Sequence, residues 1–521
     1  MADIFGLPLE VLLHMLEFAQ WKDLLRLIST CKFFRTLIEE TSALQYKIEL
    51  GVYGVTDLRT EPNVPYPKRL KRLVDFQSSW RTATFAHTSE VSLPGAWDGW
   101  TYELQKGFFA RSLLHQNAPV PGGMSEMVLV NLRTARHWRC QLDLEVQDFS
   151  FDPDQNLAVL FQWMGLDPDT AETRIHLRQL DSLKPHPLAE QPVITYDLGW
   201  RQRPLGWTIH SIQIAGDLVG VLFDPRSFGE GDKIVVWNWK TGQAVTELPA
   251  TRIVGLDSFA LLSERIMVVP DARQPSINVF LLGEPGKRPV HRKCFVLPRL
   301  AADRRMERII CRSDPVASAA SSAAASPLAR GREQALNPGP TYQVSDNGRL
   351  LCFVINIWKF DADIVNTVHL FTPMDVFMSP DEGDWNPNHE IKYVPWKDWG
   401  PEKARMLAEP MLVRNPFVTF IHGHRFVMAS THLDAGEPVG NLSHYIHLYD
   451  FNQTAIRRDL LRETKVEDIC RDRTTLPKED FFGTTDVVTA LPYRCCRKRL
   501  DIPYEALMMD GENVIALSAF H

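Results

Sequence analysis

Apolar residues fall at helical spacing over the first fifty positions and at alternating spacing from about residue 82 onward. Over 8–19 the stripe is Val11, Leu12, Met15 and Leu16, and Leu9, Leu13 and Phe18 widen it beyond one side. Pro8 fits a helix start, where a missing N–H leaves no bond unmade. A second helix is predicted to begin near Lys22 and Asp23 and to carry Leu24, Leu25, Leu27 and Ile28. A third runs over 30–39 with Cys31, Phe34, Leu37 and Ile38 inward. A fourth covers 42–50, with Ser42 and Gln45 at capping-box spacing and Gly51 as its closing glycine. Helices this short enclose too little volume for so many leucines, so the surplus must pack on the rest of the chain or on a partner.

Residues 51–67 are dense in Gly, Pro and Asn and predict turns. A connecting helix follows over 68–80, with Leu70, Leu73, Val74 and Gln77 on one side and Trp80 extending it. Its basic run, Lys68, Arg69, Lys71 and Arg72, reads as a solvated face.

The remainder repeats two signals. One is a polar turn followed by an apolar strand, as at 152–163, 215–223, 263–269, 345–355, 422–430 and 510–520. The other is a strand ending on an aromatic or polar step, as at 127–132, 174–180, 233–239, 276–282, 367–373 and 445–451. That alternation predicts a β-propeller of six or seven blades, with buried second strands and more exposed third strands. Trp237 and Asn238, with Thr241 and Gly242 after them, resemble the end of a WD repeat, although the other blades lack that dipeptide. Closing the ring is expected to join the C-terminal unit at 510–520 with the early unit at 102–114 and 127–138 in one blade. Residues 313–340, rich in Ala and Ser, predict a disordered insertion.

Composition adds constraints. Hydrophobic residues make up 45% and charged residues 23% of 521, an ordinary globular balance. A net charge of −7 argues against nucleic-acid binding. The N-terminus lacks a signal-like core and no apolar run is long enough to span a bilayer, which predicts a cytoplasmic or nuclear protein without a membrane partner. The eight cysteines, at 31, 140, 294, 311, 352, 470, 495 and 496, have neither zinc nor disulfide spacing and read as reduced, mostly buried thiols. Cys495 lies in a basic run, 494–500, that reads either as a nuclear signal or as an outer strand. His422 and His424 flank a glycine without a third ligand in view. No nucleophile elbow, phosphate loop or dinucleotide motif occurs, so neither catalytic residue, metal nor cofactor is expected. Asp381–Glu382 and Glu479–Asp480 read as solvated pairs, and Trp385, Trp396 and Trp399 as loop aromatics that cover the core or anchor a partner.

The ordered set Leu7, Pro8, Glu10, Leu12, Leu16, Lys22, Asp23, Leu24, Leu25, Cys31, Phe34, Leu37 and Ile38 resembles an F-box. It departs from that pattern at Ala19, Trp21 and Thr30, and it covers 3–50. The layout as a whole resembles fungal F-box proteins with a divergent propeller. The resemblance implies docking on a Skp adaptor and through it a cullin, with Leu7, Pro8, Val11, Leu12, Met15, Leu16, Leu24, Leu25, Cys31 and Phe34 at or behind the contact. It also implies a non-catalytic subunit of a ubiquitin ligase whose propeller recruits a protein substrate. The resulting expectation is a mainly β chain with a small all-α N-terminal domain: F-box over 1–50, linker and helix over 51–81, propeller over 82–521. The alternative is a propeller enzyme or small-ligand-binding protein whose N-terminal helices pack in cis, recognisable by carboxylates or histidines clustered in the central channel.

Overall fold

The computed structural model describes residues 7–58, 63–93, 101–114, 123–164, 172–197, 209–224, 232–251, 255–283, 286–314, 316, 342–345, 348–378, 390–408, 420–432, 443–462, 467–500, 504 and 506–517. The helices come first: α1 (Leu9–Phe18), α2 (Trp21–Ile28), α3 (Lys32–Glu40), α4 (Ser42–Tyr53) and α5 (Tyr66–Thr82). Pro8 is the N-cap of α1 and not its first residue. The capping box does not form: Thr41 precedes α4, and the Gln45 side-chain amide donates to the carbonyl of Ile38 at 3.0 Å. Gly51 does not end α4. It lies inside the helix against the Trp21 ring, where a Cβ would collide, and the left-handed cap falls at Gly54.

Leu16, Leu24, Phe34, Ile38, Leu44, Ile48 and Val52 form the core of the helical unit. Its last member is Ala455, from α7 (Gln453–Arg462), introduced below with the propeller. The surplus leucine is therefore covered in part by the chain itself. In α5, Leu73, Gln77 and Trp80 are buried, whereas Val74 is exposed, contrary to the shared side expected of it. Of its basic run, Arg69 is not solvated: it pairs with Asp57 at 2.6 Å, both side chains nearly buried.

Six four-stranded antiparallel sheets follow in chain order. Their first strands are Tyr102–Gln105, Asp148–Asp152, Ile209–Ala215, Ala260–Leu261, Arg304–Ser313 and Ile421–His422. The first strands neighbour one another in that sequence, the arrangement of blades round an axis. Blade four gains a parallel fifth strand, Lys392–Val394, and blade six a fifth, Ile469–Cys470. The ring is completed by a two-stranded hairpin, Ala506–Met509 with Val514–Leu517. That hairpin abuts blade six, and its Met508 packs with Leu104, Phe109, Val128 and Val130 of blade one. The expected closure is corrected accordingly. Blade one builds all four strands from 102–146, and the hairpin stands as a seventh position held by apolar contact.

Third strands are mostly the more exposed ones, as Glu172–Gln179 is beside Leu157–Trp163 and Ile364–Pro373 beside Leu350–Lys359. Ser276–Leu281 of blade four departs from this and is buried throughout, because its sheet is covered on both faces by its neighbours. Asx turns punctuate the strands. Asn131, Asn238 and Asp271 each accept two backbone N–H bonds through one side-chain oxygen. The Trp396 and Trp399 segment is not loop but α6 (Trp396–Lys403), and Trp399 covers the core, donating to the carbonyl of Val296 at 3.2 Å. Residues 494–500 belong to the outer strand Tyr493–Leu500 of blade six. Of the insertion predicted over 313–340, Ser313 ends a strand and Asp314 is buried, while 315 and 317–340 lie outside the described residues, as do Asp381, Glu382 and Trp385.

Several contacts join helices to propeller. Arg458 of α7 grips Glu49 of α4 with two bonds of 2.8 and 2.7 Å and the Tyr53 hydroxyl at 3.1 Å, and Asn452 donates to the carbonyl of Val52 at 3.0 Å. Arg425 of blade six stacks 4.8 Å from the Trp80 ring of α5 and bonds Gln77. The short strand Val55–Asp57 also pairs with Tyr342–Val344.

Candidate site in the central channel

A propeller's first strands line its axis, and alternate residues on them face it. In blade five, Ile309 and Cys311 are buried in the sheet while Arg308, Ile310 and Arg312 between them are only half-buried. In blade one, Leu104 is buried while Glu103 and Gln105 flank it. Asp148 opens blade two. The Arg312 guanidinium lies close enough to feel Tyr102, and Glu103 feels both Arg312 and Asp148. Blades one and five are not neighbours in the ring, so this electrostatic influence reaches across the axis.

The electrostatics are unusual. Burial pushes the Glu103 carboxyl up to about 8, against the opposing pull of the Gln105 amide, which donates to it at 2.8 Å, and of Arg312. Burial likewise takes Asp148 to about 7, opposed by the backbone N–H of Phe149 at 2.8 Å. Asp257, just before blade four, is raised to about 7 by burial and by Asp271, against a bond from Ala272 N–H at 2.6 Å and the charges of Arg308 and Arg273. Burial pulls Arg312 below its ordinary value, and its hydrogen bond among the described residues goes to the carbonyl of Cys311 at 3.2 Å. Burial thus pushes two channel carboxyls toward their neutral forms and a guanidinium of the same channel below its ordinary value. Such shifts, grouped in a concave site, mark groups that can exchange protons or donate hydrogen bonds to a ligand.

Two other places were candidates by chemistry. His422 and His424 do not act together. His422 pairs with Asp314 at 2.9 Å, and the Asp314 charge overcomes burial to hold the imidazole above its usual value. His424 is instead lowered to about 4 by burial and abuts Gly54. Beside them, Tyr53, Phe76, Tyr342, Arg425 and Glu512 line a cavity of about 40 Å³ between helices and propeller. That space suits a few waters and is far below the size of a small-molecule site. Among the described residues no cluster of three or more His, Cys, Asp or Glu is placed to hold a metal. Ser430 lies 2.7 Å from Nε2 of His447, but at 2% exposure it meets no substrate.

The ten residues expected at an adaptor contact divide. Leu7, Pro8, Val11, Met15 and Leu25 are exposed, Cys31 is half-buried, and Leu12, Leu16, Leu24 and Phe34 are interior. The interior four bind the helices to one another, behind the exposed face. Glu103, Asp148 and Arg312 were not singled out from the sequence. Their signal was present as polar residues alternating with apolar ones in "YELQ" and "RRMERIICRS" at the head of a blade.

No family model and no curated protein matches the chain. Among solved structures it is similar to the propeller domain of the Trilobed protease from Pyrococcus furiosus, at 8% identity and a TM-score of 0.24, over 67% of this chain and 89% of that one. It is similar also to the Pyrococcus horikoshii acylaminoacyl peptidase, at 9% identity and a TM-score of 0.23, over 67% of this chain and 57% of that one. A third is the tricorn protease, at 9% identity and a TM-score of 0.19, over 70% of this chain and 38% of that one. These are likenesses of the propeller and assign no activity. The expectation of a substrate-recognition subunit of a Skp–cullin–F-box ubiquitin ligase is corrected by them: the neighbours are propellers of peptidases, not ligase adaptors.

Proposed function

We propose that the protein is a small-ligand-binding propeller whose N-terminal helices pack in cis, with the central channel as its site. The observation that carries this is the cross-axis group of Glu103, Asp148 and Arg312. Docking of α4 and α5 on blade six through Arg458, Asn452 and Arg425 supports the cis arrangement. The test is thermal unfolding of the full chain against neutral, cationic and anionic small molecules. A ligand at about 100 times its Kd adds about 2.7 kcal/mol, a readable rise in Tm. The reading fails when no class shifts Tm, or when the shift persists unchanged in Asp148→Leu.

We infer separately that 3–50 is an F-box-like helical unit with a face for a Skp-type adaptor. What supports it is that Leu9, Val11, Met15, Phe18, Leu25 and Phe33 stay exposed after the helices have packed together. Val11→Asp with Met15→Asp tests it. Retained binding of purified adaptor by the double variant refutes the inference.

A further inference from the structure

We propose that residues 84–93 form a strap across the open edge of the seventh position, which ties closure of the ring to the docking of α5 on blade six. One sheet of the ring is incomplete. Each of the six blades has at least four strands, and the seventh position has two. Among the described residues, Val514–Leu517 pairs with Ala506–Met509 alone, so its other edge presents N–H and C=O groups to no neighbouring strand. The second strand of a complete blade, such as Leu157–Trp163, is buried over most of its length, whereas Val514–Leu517 is half-buried and Ala516 within it is exposed.

Both faces of the hairpin are covered. Leu507, Met509 and Val514 pack with blade six, and Met508, Ile515 and Leu517 with blade one. Its turn is fixed as well. Glu512 pairs with Arg133 of blade one at 3.3 Å, and Asp510 accepts the backbone N–H bonds of Glu512 and Asn513 at 2.8 and 2.7 Å. The edge is what remains, and 84–93 passes it. Ala83 ends α5 in the left-handed region at φ +49, and its carbonyl accepts a bond of 2.9 Å from Lys498 on the outer strand of blade six. The Lys498 ammonium also lies 4.7 Å from the Phe85 ring. Val91 and Leu93 then join the cluster that Met508 forms with blade one, while Glu90 and Ser92 are exposed. The chain thus leaves blade six and arrives on the blade-one side of the hairpin. Packed sheets lie about 10 Å apart, so the crossing covers one to two such spacings, and the six residues from Phe85 to Val91 reach about 20 Å when extended. Little slack is left. Moving α5 off blade six therefore pulls on 84–93, and the pull lands on the two-stranded wall of the ring.

Hydrogen exchange of the full chain, read by mass spectrometry, tests this. Val91→Ala with Leu93→Ala, mild truncations at half-buried sites, should speed the amides of 506–517 at least about fivefold and leave those of Leu218–Asp224 in blade three unchanged. Arg81→Met with Lys498→Met, which unties the end of α5 from Asp468 and from the outer strand of blade six, should do the same. An insertion of about eight Gly and Ser residues between His87 and Thr88 supplies slack and keeps both anchors. Added to the Arg81 and Lys498 variant, it should return hairpin exchange to within about twofold of the parent. Unchanged hairpin exchange in the Val91 and Leu93 variant overturns the strap. An effect of untying α5 that is absent, or that persists in full with the insertion, overturns the tie between docking and closure.

Discussion

The contact between Glu49 and Arg458 offers a measurable test of how the helical unit is held. Both side chains are mostly buried, 13% and 19% exposed, and two charge-assisted bonds of 2.8 and 2.7 Å join them. The Tyr53 hydroxyl adds a bond at 3.1 Å, and its ring lies 5.1 Å from the guanidinium. An exposed pair of this kind is worth about 0–1 kcal/mol, whereas removing one partner of a fully buried pair costs about 3–5 kcal/mol. Intermediate burial puts Arg458→Met or Glu49→Gln at about 2–3 kcal/mol, because each leaves a polar group without its partner. Replacing both, as Glu49→Leu with Arg458→Met, should bring the cost back to about 1 kcal/mol, since no charge is then stranded. Hydrogen exchange reports on local opening of this kind. Amides of α4 should exchange about 30–150 times faster in either single variant and within about fivefold of the parent in the double. A change of less than about threefold in the single variants would show that the ion pair does not hold the joint. A double variant as labile as the singles would refute the desolvation reasoning.

Leu12→Asp with Leu16→Asp should unfold the helical unit, because both side chains lie inside it, and far-ultraviolet circular dichroism should lose helix. Leu24→Ala, at a fully buried position, should cost about 2–5 kcal/mol, read as a shift in the denaturant midpoint of the helical signal. His369, set among Phe371, Phe420 and Phe426, is lowered to about 4 by burial. Below its ordinary range the unfolded chain binds the proton that the folded chain refuses. Stability should therefore be full above about pH 6.5 and fall as pH drops toward 4, and His369→Phe should flatten that limb of the Tm profile. Gly54→Ala should cost about 1–2 kcal/mol of thermal stability, because Gly54 has φ +64 and a Cβ would meet Nε2 of His424 at 2.9 Å.

Periodicity made much of the fold legible. The switch from helical to alternating spacing separated helices from propeller, and the turn-strand signal located second strands such as Leu157–Trp163 and Leu218–Asp224. What misled was local chemistry read without neighbours. Ser42 and Gln45 had the spacing of a cap, but Thr41 stood first and Gln45 found the carbonyl of Ile38. Gly51 looked terminal because a stop-glycine and a packing glycine share one letter, and the Trp21 ring that needs the space is thirty positions away. The channel group escaped for the same reason. Glu103 and Arg312 influence each other only when blades one and five face across the axis, and no spacing along the chain encodes that arrangement. The hairpin at the C-terminus was visible as a unit, but its missing partners were not, because blade one already had four strands of its own.

The bond from Asn452 to Val52 spans 400 positions. At about 5–20 residues per second, a ribosome needs roughly 20–80 s to deliver the second of those residues after the first. Throughout that interval the helices of 9–53 wait with the place of Ala455 vacant, so a segment made early is finished late. A nascent chain of this kind would draw on a holding chaperone early in its translation, and truncation anywhere before α7 would strand the N-terminal helices even though they are complete in sequence.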